Sequence, residues 1–126
     1  MIPRVLVADD SNTMRKIILR SLQAVGVPSA VEASDGNEAV QTFIPGQFDL
    51  VLTDWNMPGK SGLEVIKEIR AKDPKVPIIM ITTEAEKSRV IQAIQAGVSD
   101  YLVKPFTAEI LREKLEKHGC GYSQVV

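Results

Sequence analysis

One cysteine, Cys120, is all the thiol that this 126-residue chain contains. A lone cysteine closes no intramolecular disulfide, so a disulfide scaffold is excluded and the cytoplasm is the expected compartment. Cys120 lies in a Gly-Cys-Gly tail and reads as an ordinary surface thiol, because reactivity needs a shaped environment. Long apolar runs are missing as well. No stretch approaches the ~20 residues that cross a bilayer, and a strand pattern starts too early to leave room for a signal peptide. There is no surplus of basic charge: 15 Lys and Arg against 16 Asp and Glu leave a net charge of −1. Nucleic-acid binding is therefore not expected. Neither G-x-G-x-x-G nor G-x-x-x-x-G-K-[ST] occurs, which argues against a nucleotide or flavin binder. Internal repeats, low-complexity tracts and interdomain linkers are absent too.

What is present is ordinary in amount and informative in order. Hydrophobic residues make up 44% and charged residues 25% of the chain, as in a soluble globular protein of one domain. Apolar runs of strand length alternate with stretches of helical period. Ser11 caps a predicted helix carrying Met14, Ile17, Ile18, Leu22 and Val25, stopped by Gly26. A weak strand over 30–33 and a brief helix from Asp35-Gly36 follow. The loop 55–61 leads into a helix with Leu63, Ile66 and Ile69. A helix after the fourth strand places Ile91, Ile94 and Val98 at i, i+3 and i+7, expected to face the sheet. Thr107 caps the last helix, with Ile110, Leu111 and Leu115. Five strand–helix pairs joined by short connections predict a doubly wound α/β fold, a parallel sheet with helices on both faces. The expected division is a domain over 1–118 and a loose tail over 119–126.

Four of the apolar runs end in groups suited to phosphoryl chemistry. Arg4-Val-Leu-Val-Ala-Asp-Asp10 ends in paired carboxylates and Phe48-Asp-Leu-Val-Leu-Thr-Asp54 in a third. Pro77-Ile-Ile-Met-Ile-Thr-Thr83 ends in hydroxyls, and Tyr101-Leu-Val-Lys-Pro105 in a lysine. In a parallel sheet these ends share one edge, where open α/β sheets bind ligands. Two carboxylates ~4 Å apart repel by roughly 4 kcal/mol at an effective dielectric of 20, a cost that a hard cation such as Mg²⁺ relieves. Asp54 is the candidate nucleophile, since a carboxylate attacking phosphorus gives an acyl phosphate. Lys104 is the candidate partner for its charge, aimed inward if the bond to Pro105 is cis. Thr82 offers a hydroxyl. Asp10 also has a second reading, as a helix cap.

Asp9-Asp10, Asp54-Trp-Asn-Met-Pro-Gly59, Thr82-Thr-Glu84 and Tyr101-Leu-Val-Lys-Pro-Phe106 together resemble a response-regulator receiver domain, nearest to the stand-alone chemotaxis regulators. The likeness runs from about Arg4 to Lys117. It implies a flavodoxin-like five-stranded sheet in the order 2-1-3-4-5. It also implies phosphorylation of Asp54 by a histidine kinase. Mg²⁺ would be bound by Asp10, Asp54 and the Asn56 carbonyl, with Asp9 acting mainly through water. Lys104 would pair with the phosphoryl group, and Thr82 and Tyr101 would act as the switch. Asn56 and Glu84 hold positions that tune dephosphorylation. Thr83 departs from the smaller residue many relatives carry, which bears on phosphoryl lifetime, and Ser11-Asn12 also departs from the usual pattern.

Output is expected through the face of the fourth helix, fifth strand and fifth helix. Lys87, Val90, Tyr101, Val103 and Lys114 are the expected contacts for an acidic amphipathic partner such as a flagellar motor switch component. The protein is expected to act as a monomeric switch and not as a dedicated enzyme. The rival enzyme class is a Mg²⁺-dependent phosphatase with an aspartyl nucleophile. It calls for a second acid two residues after the nucleophile, where this chain has Asn56.

Overall fold

In the computed structural model, residues 3–83 and 88–119 are described. Five strands and five helices alternate: β1 (Val5–Ala8), α1 (Asn12–Ala24), β2 (Val31–Ala33), α2 (Gly36–Thr42), β3 (Leu50–Asp54), α3 (Gly62–Lys72), β4 (Ile78–Thr83), α4 (Val90–Ala96), β5 (Asp100–Lys104) and α5 (Ala108–Lys117). All strand pairs are parallel, and the sheet order is β2-β1-β3-β4-β5. Both the fold class and the strand order agree with the sequence expectation.

Strand side chains alternate between two buried faces. Val5, Val7, Leu50, Leu52, Ile79 and Ile81 pack with Ile18 and Leu22 of α1 and Leu111 and Leu115 of α5. Leu6, Ala8, Val51, Ile78 and Met80 pack on the opposite side with Phe43, Val65, Ile66, Ile69 and Ala93. Each fully buried Leu or Ile contributes about 1.5–3 kcal/mol, and β1 and the first residues of β3 and β4 are all apolar. Polar residues therefore collect where the strands end.

Helix starts follow their caps. Ser11, Asp35, Ser61 and Thr107 each accept a first-turn backbone N–H, and Ser61 with Glu64 completes a capping box. Because Ser11 is the cap of α1, Asp10 is released from the capping role that was its alternative. Gly62 lets α3 begin hard against β3. A Cβ there would collide with the backbone of Asp54 and Trp55, and the Gly62 N–H donates to the Trp55 carbonyl at 2.7 Å.

The phase of α4 differs from expectation. Val90 and Ala93 face the core, whereas Ile91 and Ile94 are 66% and 57% exposed. Val98 is buried, but it lies beyond the C-cap Gly97, so its burial does not report the helix phase. Reading by bulk chose the isoleucine row, and the row that packs is the one containing the small Ala93. Val90, expected as a partner contact, is thus a core residue. Ile17 and Ile110 are likewise more than 40% exposed at the margins of their helices. Glu84, Lys87 and Cys120 lie outside the described residues.

Candidate phosphoryl and metal site

β1 ends at Ala8, and the chain turns through Asp9 and Asp10 into α1. The turn is held by Asp9, whose Oδ1 accepts the Ser11 N–H at 2.8 Å and whose carbonyl accepts Arg15 Nη1 at 2.6 Å. Asp9 is buried and Asp10 exposed. β3 lies beside β1 and is longer at this edge, carrying Asp54 as its last residue. Oxygens of Asp9, Asp10 and Asp54 lie within 4.8 Å of one another. The adjacent acids, which would diverge on a regular strand, converge because the strand has already ended.

β5 brings Lys104 to the same edge. Its Nζ lies 3.4 Å from Asp54 Oδ1 and 3.6 Å from Asp9 Oδ2. The Lys104–Pro105 peptide is cis, the condition that the sequence reading attached to an inward-aimed lysine. Asp54 Oδ1 also accepts the Trp55 N–H at 2.8 Å. Thr82, on β4 between these strands, is buried, and its hydroxyl lies 3.4 Å from the Thr83 carbonyl. Asn56 follows on the exposed β3–α3 loop, and Thr83 is half-buried.

Burial pushes the Asp54 carboxyl up to about 6, and the facing Asp9 charge adds to the rise; Lys104 and the Trp55 N–H pull against it. The carboxylate is still mostly ionised at pH 7, so a nucleophile is available. Asp9 Oδ2 is buried without a hydrogen-bond partner among the described residues. The Lys104 ammonium at 3.6 Å meets its charge without a hydrogen bond, and a buried acceptor that makes none is costly. Three carboxylates with one unsatisfied buried oxygen form a hard-oxygen donor set that fits Mg²⁺.

Further along the fifth strand and helix lies a groove of about 470 Å³ lined by Tyr101, Val103, Pro105, Ile110 and Lys114 among others. The Lys114 Nζ sits 5.2 Å from the Tyr101 ring centroid and 2.9 Å from Asp100 Oδ1. Asp100 was not anticipated. It also meets His118 Nε2 at 2.9 Å and Lys117 at 3.5 Å. The signal available in the sequence was the set Lys114, Lys117 and His118, spaced i, i+3 and i+4 on one helical face. Arg89 was missed as well: its guanidinium carbon lies 5.6 Å from the Trp55 ring centroid.

Residues 5–116 match the response regulator receiver domain. The chain belongs to that family. It is 44% identical over 116 residues to the chemotaxis protein CheY of Pseudomonas aeruginosa, covering 90% of this chain and 94% of that protein. Its identity to CheY-3 of Vibrio cholerae is 47% over 116 residues, with 90% and 89% covered. Among solved structures, CheY4 of Vibrio cholerae superposes with a TM-score of 0.83 at 32% identity, over 94% of this chain and 99% of that one. The receiver domain of sensor histidine kinase PA1611 from Pseudomonas aeruginosa gives a TM-score of 0.84 at 30% identity, over 94% and 99%, and has a magnesium ion coordinated in its active-site cleft. Receiver domains bind Mg²⁺ in the active site and serve as signalling switches, not as dedicated enzymes. Among the described residues of this receiver domain, no helix is long and apolar enough to cross a membrane.

Proposed function

We propose that this receiver domain is a single-domain response regulator of a chemotaxis-type two-component relay, accepting a phosphoryl group from a histidine kinase on Asp54. The observation that carries this reading is the Asp54 carboxylate, set at the end of β3 within 4.8 Å of two further acids and 3.4 Å from the Lys104 ammonium. Asp10, Asp54 and the Asn56 carbonyl hold Mg²⁺, with Asp9 behind them. When bound, the ion offsets negative charge on the crowded oxygens. An Asp54 carboxylate oxygen attacks phosphorus as the phosphorus–nitrogen bond to the donor histidine breaks, leaving the electron pair on the imidazole nitrogen. Lys104 then pairs with a phosphoryl oxygen instead of with free carboxylates, and Thr82 donates its hydroxyl to another.

Thr82 and Tyr101 form the switch, and Asn56, Thr83 and Glu84 set the lifetime of the acyl phosphate by controlling water access. The output surface is the face of α4, β5 and α5, where the Tyr101–Lys114 groove offers an apolar floor with a basic rim. Tyr101, Val103 and Lys114 contact an acidic amphipathic helix there, for which a flagellar motor switch protein is the family's example. Exposed Ile91 and Ile94 replace buried Val90 in this surface. The protein acts as a cytoplasmic monomer.

The test is labelling by radioactive acetyl phosphate with Mg²⁺ in wild type, Asp54→Asn and Lys104→Ala. Wild type takes up an alkali-labile label, Asp54→Asn takes up none, and Lys104→Ala is labelled but switches weakly. Wild-type labelling of Asp54→Asn defeats the proposal.

A further inference from the structure

α4 begins differently from the other helices. Ser11, Asp35, Ser61 and Thr107 cap theirs through a side-chain oxygen, whereas the residue at the start of α4 is Arg89, which has right-handed helical angles and makes no side-chain capping bond. The opposite end of α4 is firmly fixed. Gly97 closes it in the left-handed region at φ 109°. Arg70 Nε donates to the Gly97 carbonyl at 2.8 Å, and Arg70 Nη2 to Ser99 Oγ at 3.2 Å. A seven-residue helix fastened at its C-terminal end and, among the described residues, without a side-chain cap at its start moves most easily at the start. What meets that start is the stack of the Arg89 guanidinium on Trp55.

The other side of this stack is the phosphoryl site. Trp55 is 7% exposed, donates its N–H to Asp54 Oδ1 at 2.8 Å and accepts the Gly62 N–H at 2.7 Å. One residue therefore links the guanidinium to the reacting carboxylate. We infer that Arg89 is a positioning residue that couples the Asp54 loop to the first turn of α4 through Trp55. The inference rests on Asp54 being the phosphoacceptor. Turning the carboxylate into an acyl phosphate alters the acceptor that holds the Trp55 N–H, so the peptide shifts and the ring beneath Arg89 shifts with it. Coupling is reciprocal. A helix seated on exposed Ile91 and Ile94 that draws Arg89 off the ring changes the affinity of the site by the same factor.

The experiment uses the full chain as wild type, Arg89→Gln and Arg89→Lys, with Mg²⁺ and beryllofluoride as the phosphoryl mimic. A bound ¹⁹F resonance reports occupancy at the site, Trp55 emission reports the stack, and amide shifts over 90–96 report α4. Arg89→Gln is expected to bind beryllofluoride, to show altered Trp55 emission before it is added, and to give an α4 response reduced roughly two- to fivefold, as for a lost exposed cation–π contact. Arg89→Lys keeps the cation and restores most of the response, which a merely structural role does not require. A wild-type α4 response and wild-type emission in Arg89→Gln overturn the inference, as does an Arg89→Lys as impaired as Arg89→Gln. If wild type shows no bound fluoride, the phosphoacceptor reading fails first and the inference with it.

Discussion

Asp54 holds its carboxyl at about 6 in the fold against 3.8 when unconstrained, through burial first and Asp9 second. Between these values the native state binds more protons than the unfolded state, so this group makes stability fall as pH rises from about 4 to about 6. In metal-free thermal melts, wild type is therefore expected to gain stability relative to Asp54→Asn on acidification from pH 7 to pH 5. A pH-independent difference between the two contradicts this. The same proton competes with Mg²⁺, whose apparent affinity is expected to drop below about pH 6. At a hundredfold excess over its dissociation constant, Mg²⁺ is expected to stabilise the fold by about 2.7 kcal/mol. Asp10→Ala is expected to abolish that gain while leaving the metal-free protein as stable or more so, because like charges within 4.8 Å are relieved. Equal Mg²⁺ responses in melts of wild type and Asp10→Ala would remove Asp10 from the metal set. These acids were legible in the sequence because each ends an apolar run. Arg89 was not, since its partner Trp55 is distant in the chain and an exposed arginine before a helix has no pattern of its own.

Among the elements, α5 and α4 show how local reading succeeds and fails. The Thr107 cap and the Leu111–Leu115 row of α5 were visible from spacing alone. The anchor of its last turn was not, because Asp100 sits on β5. Burial would raise the Asp100 carboxyl, but hydrogen bonds from His118, Lys114 and the Tyr101 N–H, with the Lys114 charge, outweigh it and hold it at about 2. A depressed carboxyl contributes stability above its unfolded value of 3.8 and loses that contribution as pH falls through about 2. Asp100→Asn is therefore expected to destabilise the protein by ~1–3 kcal/mol at pH 7. Its deficit should shrink as the pH of a denaturant titration series is lowered towards 2. A deficit that stays constant to pH 2 would show that the asparagine disrupts packing and does not remove an ionic clamp. For α4, the apolar period was correct and its phase was not. Ala93 fills the core-facing position with little bulk, and Gly97 ends the helix before Val98, so weighting residues by size turned the helix the wrong way.

Across the whole molecule, the parallel order β2-β1-β3-β4-β5 turns four separate strand ends into one site. Asp9, Asp10, Asp54, Thr82 and Lys104 come from four strands, and only the sheet brings them together. The doubly wound parallel class was legible from five strand–helix pairs and their short connections, whereas the strand order came from the family resemblance. The same arrangement places Tyr101 three residues before Lys104 on β5, so one strand both ends at the acidic cluster and borders the Tyr101–Lys114 groove. The central claim is that Asp54 alone receives the phosphoryl group. It is tested most directly by treating the protein with acetyl phosphate and Mg²⁺, reducing the acyl phosphate with borohydride, and mapping peptides by mass spectrometry. Reduction converts a phosphorylated aspartate to homoserine. The account predicts homoserine at position 54 and at no other aspartate, whereas homoserine at position 9 or 10 with Asp54 intact would contradict it.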